Sequence, residues 1–118
     1  MKAISTALNL TKTYKIAIDR LEGLLGKNFE SAVEAIHNSN SHIVVCGMGK
    51  SGLVGRKISS TFASTGTPSY FLHPGEAIHG DLGIVQRENI VILISYSGET
   101  DEILALLPAL KRMQVKII

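Results

Sequence analysis

Two short loops in the sequence combine glycine with side chains that can bind phosphate. The first follows an apolar run and reads Gly47-Met48-Gly49-Lys50-Ser51-Gly52. The second follows another apolar run and reads Ser95-Tyr96-Ser97-Gly98-Glu99-Thr100. A strand, a glycine turn and a helix start form a common phosphate-binding arrangement, because the turn exposes backbone N–H groups at the positive end of the helix. The sequence therefore predicts one phosphorylated ligand that is held from two sides.

The first loop matches the G-x-G-x-x-G pattern of dinucleotide-binding proteins, but that pattern also requires an acidic residue near the end of the second strand. The nearest carboxylate here, Glu76, lies past that strand. The P-loop pattern fails too, because Val44 stands where its first glycine should be. What remains is a phosphate-handling turn with Gly49, Lys50 and Ser51 facing the ligand, and the alternative is a plain tight turn.

The second loop carries three hydroxyl groups around Gly98, just before a predicted helix. Hydroxyls beside a helix N-terminus suit a phosphate monoester, because the first N–H groups and the positive end of the helix dipole face the same point. The alternative is that Thr100 only caps the helix. We expect Thr100 to cap, but a cap requires neither Ser95 nor Ser97.

Apolar periodicity predicts the elements that hold these loops. Helices are predicted at residues 4–25 (ending at Gly26), about 29–36, 53–63 and 101–113. Strands are predicted at residues 42–46, 69–72, 90–94 and 115–118, with a turn-rich loop at residues 73–83. This alternation indicates an α/β fold, a three-layer α-β-α sandwich with a parallel sheet, which stops after the start of its fourth strand.

Composition limits the classes of protein to consider. With 118 residues and 45% apolar residues, the chain has the size of one globular domain, and its single cysteine excludes an intramolecular disulfide. A net charge of +2 with scattered lysines argues against nucleic acid as a partner. No apolar run approaches the roughly 18 residues of a membrane span, and the start lacks the apolar core of a signal peptide. We therefore expect no membrane partner and a cytoplasmic location.

Five sequence blocks, in order, resemble the sugar isomerase (SIS) domain of the arabinose 5-phosphate isomerases. The blocks are Val45-Cys46-Gly47-Met48-Gly49-Lys50-Ser51-Gly52, Thr61-Phe62-Ala63-Ser64-Thr65-Gly66-Thr67-Pro68, His73-Pro74-Gly75-Glu76-Ala77, His79-Gly80-Asp81-Leu82-Gly83 and Ser97-Gly98-Glu99-Thr100. The resemblance implies flavodoxin-like strand order, a five-stranded parallel sheet between helices, and a homo-oligomer, either dimer or tetramer. It also implies an enzyme that interconverts D-ribulose 5-phosphate and D-arabinose 5-phosphate, towards the 3-deoxy-D-manno-octulosonate (Kdo) of lipopolysaccharide.

The resemblance divides the chain into two parts. Residues 1–41 are N-terminal helices for packing or an oligomer contact, and residues 42–118 are an incomplete SIS domain. An amphipathic helix ahead of a sheet either covers the sheet or contacts a second copy, and we favour the second copy. The family's later catalytic glutamate and histidine, and its CBS modules, are expected after Ile118. The activity of the 118-residue chain alone is therefore a separate question.

The resemblance also implies roles for single residues. Lys50 and Glu102 stand at catalytic positions. The substrate-binding positions are Gly49, Ser51, Gly66, Thr67, His79, Ser95, Ser97, Gly98 and Thr100. No cofactor is required, although His73 stands at a metal position. Zinc shared by His73 and His79 would be weakly held and inhibitory, and the alternative is a histidine that hydrogen-bonds sugar or backbone.

Aldose-ketose isomerisation needs a base, a group that stabilises the enediolate, and a grip on the phosphate. Glu102 is the candidate base or ring-opening acid, and Lys50 is the candidate cation. The alternative for each is a solvated charge at the start of a helix. The competing functions are a non-catalytic sugar-phosphate-binding SIS module and an inactive fragment of the isomerase. A binding module needs the serine loop but neither Lys50 nor Glu102.

Overall fold

The computed structural model describes residues 2–118 and contains a four-stranded, all-parallel sheet with helices. The strands are β1 (Ile43–Gly47), β2 (Ser69–Leu72), β3 (Ile90–Ile94) and β4 (Lys116–Ile117). The helices are α1 (Lys2–Glu22), α2 (Lys27–His37), α3 (Gly49–Ser64), α4 (Pro74–Ile78) and α5 (Asp101–Met113), with a 3₁₀ helix at Asp81–Ile84. The predicted α/β fold with a parallel sheet is confirmed.

The strand order is β2-β1-β3-β4, which confirms the flavodoxin-like order. The chain leaves β1 for β2 on one side and later returns to place β3 on the other side of β1. Strand order therefore reverses between β1 and β3, and open parallel sheets bind ligands at the carboxyl ends of the strands at such a point. The register at that end pairs Gly47 with Ile94.

Helices cover both faces of the sheet, which makes the three predicted layers. On one face α3 lies close to β1 and β2. A Cβ added at Gly55 would stand only 3.1 Å from the ring of Phe71 and 3.2 Å from Val45. The other face carries the hydrophobic core, which joins the strands to α4 and α5. Its buried members are Val44, Cys46, Leu72, Ala77, Val85, Val91, Ile103, Leu106, Leu110 and Val115. Every residue of β1 is buried, as expected of a central strand.

Helix α3 begins at Gly49, four residues before its predicted start, and two further predictions also differ from the structure. Helix α1 ends at Glu22 rather than near Gly26, because the chain turns at Leu24, whose N–H donates to the carbonyl of Leu21 at 2.9 Å. The segment 73–83, predicted as a loop, contains α4 and the 3₁₀ helix. His73 explains the first of these, because it occupies the N-cap position of α4 and its side chain accepts a hydrogen bond from the N–H of Gly75.

The chain divides into two compact units, residues 1–35 and 36–118. In the first unit neither α1 nor α2 contains a buried residue. The second unit contains the sheet and its hydrophobic core. No helix within the described residues 2–118 has both the length and the apolar character needed to cross a membrane.

Candidate functional site

Three segments that carry polar or titratable side chains follow the carboxyl ends of neighbouring strands. The first loop follows β1 at Gly47, the second follows β3 at Ile94, and these two residues are paired in the sheet. On the other side of β1, Cys46 pairs with Leu72, and His73 follows directly. The three segments therefore begin at one edge of the sheet, and the two glycine loops begin at its switch point.

Backbone packing gives the first loop its shape. Gly49 has a φ of +53°, in the left-handed region that favours glycine, and α3 begins there. Gly52 packs on the end of β1 so closely that an added Cβ would lie 2.5 Å from the carbonyl oxygen of Gly47. Lys50 is exposed and Ser51 is half-buried in the first turn of α3. The loop thus directs a helix N-terminus and a flexible cation towards solvent at the sheet edge.

Hydroxyl hydrogen bonds give the second loop its shape. The Oγ of Ser95 lies 2.8 Å from the Oγ1 of Thr100 and accepts a hydrogen bond from the N–H of Gly98 at 3.0 Å. The Oγ of Ser97 accepts from the N–H of Glu99 at 3.1 Å. Gly98 has a φ of +73°, which lets the chain turn back on itself.

These bonds leave hydroxyl hydrogens that can be donated to a ligand. Each hydroxyl has one hydrogen and two acceptor lone pairs. Only one member of the Ser95 and Thr100 pair can donate within the pair, so the other retains its hydrogen. Ser97 only accepts in its bond to Glu99, so its hydrogen is also free for a phosphate oxygen. The loop therefore offers two O–H donors beside the start of α5.

Thr100 occupies the N-cap position of α5, as predicted, but its hydroxyl makes no capping hydrogen bond to the described first turn. The capping interpretation of that side chain is corrected: its hydroxyl lies 2.8 Å from the Oγ of Ser95 instead. The first N–H groups of α5 are consequently available to an acceptor other than this cap. Glu102 stands in the same turn and is half-buried, whereas Asp101 is exposed.

The two histidines flank α4 and do not form a complete metal site. The Nδ1 of His73 accepts the hydrogen bond from Gly75 at 3.2 Å, so in the neutral ring the proton is assigned to Nε2. His79 is exposed at the C-cap of α4. Within residues 2–118, no group of three or more His, Cys, Asp or Glu side chains is placed to hold a metal ion. Zinc would therefore need ligands besides these two histidines, and no chemical step is assigned to it.

Gly66 and Thr67 lie at the opposite edge of the sheet. They follow α3 and precede the amino end of β2, where the carbonyl of Pro68 accepts a hydrogen bond from Ile43, the first residue of β1. Gly66 has a φ of +94°, and the N–H of Thr67 donates to Phe62 at 2.9 Å. The structure gives these two residues a turn between α3 and β2 and does not bring them to the two loops.

Sequence reasoning missed two features near the loops. Tyr96 stands between the two serines of the second loop with a relative exposure of 102%. The guanidinium of Arg56 lies 4.2 Å from the ring centre of Phe71, on the helix that begins at the first loop. The position of Tyr96 between two hydroxyl residues was a usable signal, whereas the Arg56 contact joins residues of α3 and β2 and has no local pattern.

Cys46 ends β1 directly before the first loop and is only 1% exposed. Burial raises the pKa of its thiol to about 12, because the charged thiolate would lose its solvation. The thiol is therefore protonated and packed in the hydrophobic core at neutral pH, as the sequence predicts.

Residues 35–118 match the SIS domain family. That match covers most of the chain, and the parallel sheet with its helices fits the same class. The chain belongs to the SIS domain family.

The chain is similar in sequence to one group of curated isomerases. The arabinose 5-phosphate isomerase KdsD of Escherichia coli K12 is 53% identical over 108 residues, which are 87% of this chain and 33% of that protein. KdsD of Francisella tularensis is 46% identical over 116 residues, which are 93% of this chain and 36% of that protein. The chain thus spans about a third of the length of the curated relatives it matches.

Solved structures similar to this chain also include sugar-phosphate isomerases. A protein of E. coli CFT073, solved in complex with arabinose 5-phosphate, aligns with a TM-score of 0.80 and 42% identity over 96% of this chain and 62% of that one. The tagatose-6-phosphate ketose/aldose isomerase of E. coli aligns with a TM-score of 0.64 and 21% identity, over 86% of this chain and 28% of that one. The second similarity supports the fold alone.

Proposed function

We propose that this chain contributes the phosphate-binding half of an aldose-ketose isomerase that interconverts D-ribulose 5-phosphate and D-arabinose 5-phosphate. The pairing of Gly47 with Ile94 carries the proposal, because it starts the glycine turn and the hydroxyl loop side by side at the switch point. The names of the relatives supply the substrate class. Since the chain spans about a third of them, the reaction is proposed for the whole protein to which these residues contribute.

The phosphate is held by the second loop and the start of α5. Ser97 and one member of the Ser95 and Thr100 pair donate hydroxyl hydrogens, and the first N–H groups of α5 add backbone donors. Hydrogen bonds to a charged phosphate contribute about 1.5–3 kcal/mol each. Three or four such bonds orient the sugar, whose reacting carbons then extend towards the first loop.

Lys50 and Glu102 carry the proton transfer in this proposal. Glu102 takes the proton from C2 of the aldose, and the C–H electron pair forms the enediolate. A proton returns to C1 while the hydroxyl proton of O2 is transferred to O1, so the ketose has the same atoms as the aldose. The Lys50 ammonium, at the first loop, offsets the negative charge of the bound phosphate and then that of the enediolate. The half-buried position of Glu102 and the exposed, flexible side chain of Lys50 support these roles.

The same proposal covers the location, the assembly and the pathway of the enzyme. We assign it to the cytoplasm, as a homo-oligomer that needs no cofactor, and its product to Kdo and lipopolysaccharide synthesis. The names of the curated relatives support the isomerase class, and the net charge of +2 gives no reason to invoke nucleic acid.

Proton NMR of D-arabinose 5-phosphate incubated with protein tests the reaction directly. The chain alone is compared with a chimera in which the remaining SIS residues come from the E. coli K12 relative, each with a Lys50→Met control. Formation of D-ribulose 5-phosphate by the chimera, lost in the Lys50→Met control, supports the isomerase. A folded chimera that binds the sugar phosphate but never converts it contradicts the isomerase and favours a sugar-phosphate-binding module.

A further inference from the structure

We propose that the ring of Tyr96 packs on the sugar carbons of a bound sugar phosphate, so that the site selects a phosphorylated sugar over inorganic phosphate. This inference rests on the proposed function, because it takes the second loop as the phosphate site. Tyr96 lies between Ser95 and Ser97 of that loop. Its side chain has no part in the phosphate contacts described above, so it would be a further residue that determines specificity.

The side chain of Tyr96 is fully exposed. Its relative exposure is 102%, whereas Leu24, the next of the exposed large apolar residues within residues 2–118, reaches 76%. Apolar surface stabilises a fold only when it is removed from water, so this ring contributes no packing to the protein. Both faces of the ring are therefore available to a ligand that binds at the loop.

Hydrogen bonds on both sides of Tyr96 hold the backbone that carries it. The Oγ of Ser95 accepts from the N–H of Gly98 at 3.0 Å, and the Oγ of Ser97 accepts from the N–H of Glu99 at 3.1 Å. Neither bond uses the tyrosine side chain. A tyrosine on a fixed backbone has only two side-chain torsions left to order, so a ligand covers its ring at a small cost in conformational entropy.

A sugar phosphate offers two kinds of surface, and the loop has a partner for each. The phosphate oxygens accept hydrogen bonds from the hydroxyl groups of the loop and from the first N–H groups of α5. The carbon atoms next to the phosphate present C–H groups, which suit the apolar, electron-rich face of an aromatic ring. Inorganic phosphate has no such carbon atoms. Tyr96 should therefore contribute to the binding of the sugar phosphate alone.

The expected size of the effect follows from the area of ring that the sugar covers. When on the order of 50 Å² of apolar surface is withdrawn from water, binding becomes about tenfold tighter. Tyr96→Ala should therefore bind D-arabinose 5-phosphate about tenfold more weakly and inorganic phosphate with unchanged affinity. Tyr96→Phe keeps the ring faces and should bind the sugar phosphate within about twofold of the unchanged chain.

Calorimetric titrations of the whole chain with D-arabinose 5-phosphate and with inorganic phosphate measure both affinities. Tyr14→Ala is the matched control, because Tyr14 is also exposed, at 62%, and belongs to the first compact unit. It should bind both ligands normally. Equal binding of the sugar phosphate by Tyr96→Ala and the unchanged chain would overturn the proposal. So would an equal loss of affinity for both ligands, or a Tyr96→Phe variant as weak as Tyr96→Ala.

A tryptophan at the same position provides a second test that does not depend on losing affinity. The sequence contains no tryptophan, so Tyr96→Trp introduces a single fluorescent reporter. Saturating D-arabinose 5-phosphate should shift its emission to shorter wavelength and reduce its quenching by acrylamide, and inorganic phosphate should do neither. Tyr14→Trp should not respond to the sugar phosphate. An unchanged Tyr96→Trp emission with sugar phosphate bound, as calorimetry of that variant shows, would overturn the contact.

The two proposals fail in different ways. If the unchanged chain binds D-arabinose 5-phosphate and Ser97→Ala weakens that binding while Tyr96→Ala does not, the phosphate site stands and only the role of Tyr96 is wrong. If the folded chain binds neither ligand, the phosphate site of the proposed function is wrong, and the role of Tyr96 is wrong with it.

Discussion

The two loops at the carboxyl edge of the sheet are held in shape by different forces. The first depends on backbone contact, because Gly52 stands where only a hydrogen atom fits against Gly47. The second depends on side-chain hydrogen bonds between hydroxyl groups and backbone N–H groups. Changes in the packing of the first loop should therefore affect folding. Changes in the donors of either loop should affect the ligand and leave the sheet and its core intact.

Gly52→Ala is the strongest test of this difference. The new Cβ would meet the Gly47 carbonyl oxygen at 2.5 Å, which requires the junction of β1 and α3 to move. We expect the free energy of unfolding to fall by about 3 kcal/mol or more. Urea titration followed by circular dichroism measures this change.

Gly83→Ala is the matched control for that experiment. Among residues 2–118 no atom stands within 4 Å of a Cβ at Gly83, and its φ does not lie in the left-handed region. We expect a change within about 0.5 kcal/mol, because only the entropy of the unfolded chain is altered. Equal effects at Gly52 and Gly83 would show that the first loop does not depend on backbone contact.

Lys50→Met should separate ligand binding from folding within the first loop. The side chain is exposed in the first turn of α3, so its loss removes no packing. Without the ammonium we expect sugar-phosphate affinity to fall about 50-fold, the value of one charge-assisted contact of 2–3 kcal/mol. Calorimetry gives the affinity and thermal unfolding gives the stability. A variant that unfolds would return Lys50 to a structural role.

Ser97→Ala should have a smaller effect on the same affinity. It removes one hydroxyl donor and the acceptor of the Glu99 N–H, and it leaves the Ser95 and Thr100 pair in place. We expect binding about tenfold weaker, the value of one hydrogen bond to a charged group. Ser60→Ala on the exposed side of α3 serves as the control and should bind normally. Unchanged affinity in Ser97→Ala would remove that residue from the phosphate site.

Alkaline pH should lower the free energy of unfolding through Cys46, and this is the smallest of the predicted effects. The pKa of Cys46 is raised from 9.0 to about 12 in the folded chain, so the unfolded chain loses its thiol proton first as pH rises. Stability is therefore fully present below pH 9 and is lost as pH rises from there towards 12, by about 0.5–1 kcal/mol at pH 9.5. Urea midpoints at pH 7 and 9.5 measure the slope. The same slope in Cys46→Ala would exclude the thiol as its source.

Sequence patterns predicted the sheet well because its signals are local. An uninterrupted apolar run such as Ile90–Ile94 cannot be exposed in water, and a glycine turn after it marks the start of a helix. Helix α4 was missed, because His73 replaces the usual capping residue and Pro74 and Gly75 read as a turn. The Nδ1 of His73 accepts the hydrogen bond that a serine or aspartate oxygen normally accepts at this position.

The candidate site could be predicted only in part. Ser95, Ser97 and Thr100 belong to one short segment, so their grouping was visible in the sequence. The hydrogen bond between Ser95 and Thr100 replaces a cap. It depends on the path of the loop, so it was not visible in the sequence. Gly66 and Thr67 show the limit most clearly. The resemblance implies a substrate contact for them, and they follow a helix of 16 residues at the amino end of β2, so that role stays a prediction.

Calorimetric titration of the chain with D-arabinose 5-phosphate, beside a titration with D-arabinose, tests most directly whether the two loops form one phosphate site. We predict one binding event for the sugar phosphate that D-arabinose does not reproduce. Lys50→Met and Ser97→Ala should each weaken it, because one change lies in each loop. Equal binding of both sugars, or no binding by a folded chain, would contradict a phosphate site at the β1–β3 switch point.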